Sequence, residues 1–450
     1  MEQGASKIVQ QQTTLVVGLG QSGLSCVRFL VAQGVPVAVT DSRQEPPGLA
    51  QLHHDYPNVP VFVGGFDRDA FAAASRLVVS PGVSLVEPLI QQAIARGAKI
   101  SGDVALFAEY AAAPIVAITG SNGKSTVTTL LTEMIKAAGR KVLMGGNIGI
   151  PALDLLVQPI PELYVLELSS FQLETATQLN AAVATVLNIS EDHMDRYDDL
   201  AHYSEAKRAV FNGAGMQVLN RDDARVLNMA DSTLKQHWFS LSVPAEGEYG
   251  LRVSDGVSWL AFGDERLIET ADICMAGRHN YANALAALAM CDALGLARSA
   301  MLDTLRNFGG LSHRCQYVAR QSGVAWYNDS KATNVGATLA AVNGFDEKLI
   351  LLAGGQGKGA DFAPLADAAD KLAAVIYFGE DGEQIAKVMS DKVACYRADS
   401  LSSAVEQAAA IARSGESVLL SPACASFDMF KGFEDRGEQF IELVRGRQHG

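Results

Sequence analysis

The segment TGSNGKST at 119–126 concentrates more chemistry than any other eight residues of the chain. Its glycines let backbone amides turn inward on a phosphate. Lys124 carries a cation to the outer phosphate oxygens, and Ser125 offers a hydroxyl to Mg²⁺. The apolar run IVAIT (115–119) precedes it. Apolar Val127, Leu130, Leu131, Met134 and Ile135 follow on one helical face. The loop is therefore expected between a strand and a helix, as a phosphate loop should be. It departs from the strict G-x4-G-K-S/T pattern, because Ile118 stands at the first glycine's place.

A second glycine turn, Gly18-x-Gly20-x-x-Gly23, follows the apolar run TLVV (14–17), and Asp41 ends the next apolar run. Such a turn brings backbone close to a pyrophosphate at a helix N-terminus. The pattern leaves a nicotinamide, a sugar-nucleotide and a purely structural reading open. Glu167 closes the strand LYVLEL (163–168), which suits a Mg²⁺ ligand beside a phosphate loop or a helix cap. After the run VATVLNI (183–189), Glu191, Asp192, His193 and Asp195 offer further oxygen and imidazole donors. Lys207 lies on an expected helix and reads by itself as a solvated surface lysine.

Three more polar clusters follow apolar runs. NDSKATN (328–334) packs acid, base and hydroxyl into one turn, GGQGK (354–358) suits a second anion loop, and SPACASF (421–427) follows SVLL. Cys424 has no basic neighbour and reads as a small packing residue.

The elements needed to position these groups are strands and helices in alternation, which argues for parallel sheets covered by helices. In such sheets ligands bind beyond the carboxyl ends of the strands. With 450 residues the chain suggests about three domains. AEYAAAP (108–114) reads as a linker, a third run starts near Gly309, and 216–275 reads as β-rich without a clear order. Apolar residues make up 48% and charged residues 19%, enough for packed cores. The 36 Lys+Arg against 50 Asp+Glu give a net charge of −14, which argues against nucleic-acid or membrane-surface binding. Six scattered cysteines without a CxxC pair fit a reducing cytosol rather than a disulfide framework or a zinc site. MEQGASKIVQQQTT carries no apolar leader core, and no run approaches a membrane span.

Taken together, these segments resemble the Mur ligase family, the ATP-dependent amide ligases of peptidoglycan precursor synthesis. GGNIG (145–149), LELSSFQLE (166–174), NISEDHMDRY (188–197) and GRHNYANALAA (277–287) extend the likeness over nearly the whole chain. The modified phosphate loop is the family's own form. The N-terminal glycine turn and KGFEDRG (431–437) point to the glutamate-adding branch. Gly359 stands where a serine is expected, which leaves the backbone loop intact.

The resemblance implies an α/β chain of three domains: a Rossmann-like N-terminal one at 1–102, a central P-loop-type ATP-binding one at 103–308, and a Rossmann-like C-terminal one at 309–450. It implies a monomeric cytoplasmic enzyme that joins D-glutamate to UDP-N-acetylmuramoyl-L-alanine through an acyl phosphate. Gly120, Ser121, Asn122, Gly123, Lys124, Ser125 and Thr126 would hold the ATP phosphates. Asn280, Arg314, Asp329 and Lys331 would complete the nucleotide site. Ser125 and Glu167 would share one Mg²⁺, and His193 would help hold a second. Lys207 matches the lysine that such ligases carry as a carbamate. Gln21, Ser22, Asp41, Ser42, Arg43, Gly82 and Asn147 match the uridine and pyrophosphate side, so the first glycine turn would serve UDP rather than NAD. Thr333 and Lys358 match the glutamate α-carboxylate site, and Ser426 with Phe433 the side-chain carboxylate site. Lys124, His193, Lys207 and Lys331 would be the catalytic set.

Overall fold

A computed structural model describes residues 13–447 apart from Thr177 and Ala276. Most of MEQGASKIVQQQTT, read above for an apolar leader core, lies outside the described residues. Among those described, the strands form three sheets.

The first sheet holds β1 (Thr13–Val17), β2 (Val37–Asp41), β3 (Val61–Val63), β4 (Ala74–Val79) and β5 (Lys99–Ser101). Its order is β3-β2-β1-β4-β5, with all pairings parallel. β1 and β2 are short and almost wholly buried, as strands covered on both faces must be. The chain runs from β1 outward through β2 to β3, then crosses back to β4 on the other side of β1. That reversal opens a crevice beyond Val17, where the first glycine turn sits.

The second sheet adds β6 (Ile115–Thr119), β7 (Val142–Gly146), β8 (Leu163–Glu167), β9 (Val183–Val186), β10 (Met216–Asn220), β11 (Lys235–Phe239), β12 (Tyr249–Ser254), β13 (Val257–Phe262) and β14 (Glu265–Glu269). The order is β14-β13-β12-β11-β10-β9-β6-β8-β7. β6 lies between β8 and β9, so the phosphate loop, Glu167 and the His193 loop all leave neighbouring strand ends. The region left unordered in the sequence is β10 to β14, whose last three strands pair antiparallel at the sheet edge. The helix Lys124–Ala137 buries Val127, Leu130, Leu131, Met134 and Ile135 completely. It packs on the helix Arg278–Ala293, whose buried Ala284, Ala286, Ala287 and Ala289 allow close approach.

The third sheet holds β15 (Gln316–Gln321), β16 (Val324–Asn328), β17 (Leu349–Gly354), β18 (Leu372–Phe378), β19 (Cys395–Arg397) and β20 (Ser417–Leu420). Its order is β15-β16-β20-β17-β18-β19, with only β15 antiparallel. Because β16, β20 and β17 are adjacent, the three C-terminal polar clusters emerge side by side.

The supposed linker at 108–114 is corrected: the helix Asp103–Tyr110 takes its first three residues, and Phe107 packs edge-on against Tyr164 of β8. The first two sheets share one apolar cluster, running from Val16 and Val27 through Phe107 to Leu166 and Tyr203. No such cluster joins the central and C-terminal sheets among the described residues. The clusters around β15 to β20 stay within that unit.

Candidate active site

The phosphate loop turns on Gly120 and Gly123, whose φ values of 148° and 83° lie where side chains are strained. A Cβ on Gly123 would also lie 2.4 Å from Asn283 Oδ1. Lys124 folds back on its own loop, donating to the carbonyls of Gly120 at 2.8 Å and Ser121 at 2.9 Å. Burial lowers its pKa, opposed by the charges of Glu167 and Asp192. Ser121 Oγ donates to Ser190 O and lies 3.3 Å from Tyr203 Oη.

Arg314 crosses from the C-terminal unit and donates from Nη2 to Ser125 Oγ at 2.7 Å. Between the two units lies a cavity of about 300 Å³, lined by Asn122, Gly123, Thr126, Asn280, Arg314, Asp329 and Lys331. Asp329 is buried and its pKa is pushed up to about 7 by burial, against hydrogen bonds from Ser421 Oγ and the Cys315 amide. Lys331 Nζ rests 3.7 Å from the centre of the Phe433 ring. Burial, and then the charge of Arg314, bring its pKa down to about 8.

Glu167 is 2% exposed. Its Oε1 accepts from Asn147 Nδ2 at 2.7 Å, while Oε2 is buried without a hydrogen-bond partner. An unpartnered buried carboxylate oxygen facing a phosphate loop fits a cation. Among the described residues no group of three His, Cys, Asp or Glu side chains forms a cage of its own. That suits Mg²⁺, which is bound through one or two carboxylates together with phosphates and water. His193 has φ 57° and its ring packs 4.8 Å from that of Phe171. Burial lowers its pKa despite Asp192, whose Oδ2 lies 3.6 Å from Nε2.

Lys207 corrects the surface reading. It is 1% exposed, 3.4 Å from Thr119 Oγ1 and 4.7 Å from the Tyr203 ring centre. Burial and then the charge of Lys124 hold its pKa well below that of an ordinary lysine.

A separate cavity of about 480 Å³ lies beyond β1 and β4. Gln21, Ser22, Asp41, Ser42, Arg43, Gly82 and Asn147 all line it. Asp41 Oδ2 accepts from the Leu19 amide at 2.7 Å, and both its oxygens hold the Arg43 guanidinium. Burial would raise the Asp41 pKa, but the Arg43 and Leu19 hydrogen bonds outweigh it and leave the group below the ordinary carboxylate range.

Thr333 and Lys358 meet Asp192 and His193 in a narrow cleft. Lys358 Nζ donates to Asp192 Oδ1 at 2.9 Å. Ser426 and Phe433 are not among the residues lining that cleft. The Ser426 carbonyl accepts from Met429 and Phe430 amides, and the Phe433 carbonyl from Ser330 Oγ. Cys424 is fully buried, and burial pushes its thiol pKa up to about 12, as a packing residue requires.

Sequence reasoning missed several residues. Asn188 Oδ1 accepts from the Asn122 amide at 2.8 Å, and Asn283, Asn220 and Phe239 line the cavity between the central and C-terminal units. Arg436 is wholly buried and donates to Ser330 Oγ and to the carbonyls of Ser330, Cys424 and Ala425. Its place in KGFEDRG was the available signal.

Three α/β units, a phosphate loop and a cleft between the second and third define an ATP-dependent ligase architecture. Family profiles match in the same order: "Mur ligase MurD-like, N-terminal domain" over 12–102, "Mur ligase middle domain" over 118–291, and "Mur ligase, glutamate ligase domain" over 313–424. The chain belongs to the Mur ligase family. It is 53% identical over 436 residues to the UDP-N-acetylmuramoylalanine–D-glutamate ligase of Nitrosococcus oceani, covering 96% of each chain. It is 53% identical to the Pseudomonas aeruginosa protein of the same name, covering 98% of this chain and 99% of the relative. Among solved structures, MurF from Acinetobacter baumannii shares the fold at 16% identity, with a TM-score of 0.61 over 98% of both chains. A pseudomurein peptide ligase type C from Methanothermus fervidus does so at 17% identity, with a TM-score of 0.61 over 97% of this chain and 99% of that one.

Proposed function

We propose that this chain joins D-glutamate to UDP-N-acetylmuramoyl-L-alanine with cleavage of ATP to ADP and phosphate, in peptidoglycan precursor synthesis. The observation that carries the reading is the Arg314–Ser125 contact. It brings the amino-acid-side unit onto the phosphate loop, so that ATP and the amino acid can meet in the cleft between these two units. In the assignment, 1–102 takes the UDP moiety, 103–308 takes ATP, and 309–450 supplies the glutamate side.

A carboxylate oxygen of the L-alanyl group attacks the γ-phosphorus, and ADP leaves. The amine of D-glutamate then attacks the acyl carbonyl, phosphate leaves, and the nitrogen gives up a proton. The carboxylate is thereby made electrophilic. What remains for the protein is positioning and charge stabilisation. Lys124 would leave its loop carbonyls for the β/γ-phosphates. Lys331 and Arg314 would face the transferring phosphoryl oxygens. Mg²⁺ would neutralise phosphate charge, held by Ser125 and Glu167, with a second ion near His193. A neutral, buried amine is the form that adds CO₂, so the lowered pKa of Lys207 favours carbamylation there. The amine nitrogen bonds to the carbon of CO₂ and gives up a proton, and the resulting carbamate would offer Mg²⁺ a negative oxygen where an ammonium would repel it. Arg43, held by Asp41, would meet the diphosphate. Lys358 and Thr333 would take the glutamate α-carboxylate, with Ser426 and Phe433 at its side chain.

The nicotinamide reading of the first glycine turn is less favoured. The Asp41 carboxylate, which would have to take ribose hydroxyls, is already engaged by Leu19 and Arg43. Among the described residues no helix is long and apolar enough to cross a membrane. A cytoplasmic monomer is the working assignment, since its nucleotide substrates are cytoplasmic. The test is phosphate release with ATP, Mg²⁺ and UDP-N-acetylmuramoyl-L-alanine across D-Glu, L-Glu, L-Ala, L-Lys and diaminopimelate. Release is expected with D-Glu alone; turnover with another amino acid and none with D-Glu would reassign the chain within the family.

A further inference from the structure

The boundary between the central and C-terminal units is polar, and one residue on it has no part in the reaction derived above. Asn334 is 6% exposed and follows Thr333 directly. Its Oδ1 accepts from the Ala337 amide at 2.8 Å, which caps the helix Val335–Asn343. Its Nδ2 is not needed for that cap. It donates instead across the boundary, to Asn122 Oδ1 at 3.3 Å and Asp192 Oδ2 at 3.2 Å. Asn122 Nδ2 lies 3.5 Å from Asn334 Oδ1 in return, so the two amides face each other. Asn122 is itself fixed at its backbone by Asn188, at 2.8 and 3.1 Å.

A second observation marks the same place. A Cβ on Gly336 would lie 2.6 Å from Ser190 Oγ and 2.9 Å from Ser190 Cβ. The first turn of the C-terminal helix thus approaches the central unit as closely as a hydrogen atom allows. Ser190 is the residue whose hydroxyl takes the other Asn122 Nδ2 contact, at 3.2 Å.

We propose that Asn334 is a positioning residue that docks the C-terminal unit onto the phosphate loop through Asn122, with Gly336 providing the clearance. One side chain does two separable jobs: its oxygen starts a helix, and its nitrogen registers that helix against the loop. Asn334 is three residues from Lys331, so the docking sets where that cation meets the phosphate loop. The kinetic part of the proposal rests on the ligase reading; the docking itself does not.

Asn334→Asp separates the jobs. An aspartate oxygen still caps the helix, but the cross-boundary donor is lost and a carboxylate is set against Asp192. The expected result is a melting temperature close to that of the wild type and a kcat lowered about tenfold. KM for UDP-N-acetylmuramoyl-L-alanine should be unchanged, because its cavity lies elsewhere. Small-angle scattering with a non-hydrolysable ATP analogue should give a larger radius of gyration than the wild type gives. Gly336→Ala, which keeps both amides, should reproduce that pattern by steric means and carries the test if Asn334→Asp does not fold. Wild-type kcat and scattering in both variants would overturn the proposal. So would a kcat loss matched by an equal fall in melting temperature, which would reduce Asn334 to a helix cap. If the wild type itself fails to use D-glutamate, the ligase reading falls while the scattering arm still decides the docking.

Discussion

Lys207 Nζ lies 3.4 Å from Thr119 Oγ1, at the last residue of the strand that launches the phosphate loop. A lysine there is buried beside another lysine, and its charged form is disfavoured by burial and by Lys124. Lys207→Ala should be nearly inactive. Short carboxylates added to the assay should restore part of the rate by standing in for the carbamate. Full activity without them would remove the carbamate from the mechanism.

Among the described residues Lys124 Nζ hydrogen-bonds only to its own loop's carbonyls, at 2.8 and 2.9 Å, and so is poised to move to a phosphate. Lys124→Ala should abolish turnover in the phosphate-release assay, while the protein still melts cooperatively. Retention of more than about a tenth of the rate would contradict its role at the β/γ-phosphates.

Lys331 has a pKa near 8, and its cationic form is the one that can stabilise phosphoryl charge. That form is complete below the pKa and is lost as pH rises through it. kcat/KM for ATP should therefore fall on the alkaline side of about pH 8. In Lys331→Arg the limb should move to higher pH, even if the rate is lower, because guanidinium stays charged. An unmoved limb would assign it to another group.

Asp41 holds Arg43 in the UDP-side cavity and caps the Leu19 amide. Asp41→Asn removes a charge-assisted contact of about 1.5–3 kcal/mol. KM for UDP-N-acetylmuramoyl-L-alanine should rise by about tenfold or more, with KM for ATP unchanged. Equal changes in both would show that the cavity is not a separate subsite.

Arg436 is buried without an ion-paired carboxylate among the described residues, and burial lowers its pKa to about 10. It ties the loops after β16 and β20 to the last helix. Arg436→Met would strand the carbonyls of Ser330 and Cys424, at about 1–3 kcal/mol for each buried group left unsatisfied, while that of Ala425 keeps the Gln356 amide. Thermal unfolding should shift down by several degrees. An unchanged melting curve would mean that water replaces the guanidinium.

The parts of the site that were legible in the sequence are those whose chemistry is local. The phosphate loop, the first glycine turn and NDSKATN each carry their own strand and turn signals within a few residues. Lys207 was not legible without the family resemblance, because a lysine on the helix Leu200–Arg208 looks solvated until Tyr203 and Thr119 close over it. The roles of Arg436 and Asn334 escaped for the same reason: the contacts that define them, to Ser330 and to Asn122, span 106 and 212 residues. The strands β12 to β14 alternate buried and exposed positions imperfectly, so their order appears only once they pair. The linker reading failed at 108–110, because the helix that starts at Asp103 and packs through Phe107 on Tyr164 runs on to Tyr110.

Asn147 lines the cavity beyond β1 and β4 and also anchors Glu167 at 2.7 Å. Its two tenancies bear on drug resistance. An inhibitor that draws affinity from the Asn147 amide could be evaded by substituting that residue, but the same substitution frees the Glu167 carboxylate from its only hydrogen-bonded anchor in the described structure. Under the proposed assignment, escape at this position would also disturb the carboxylate that faces the phosphate loop.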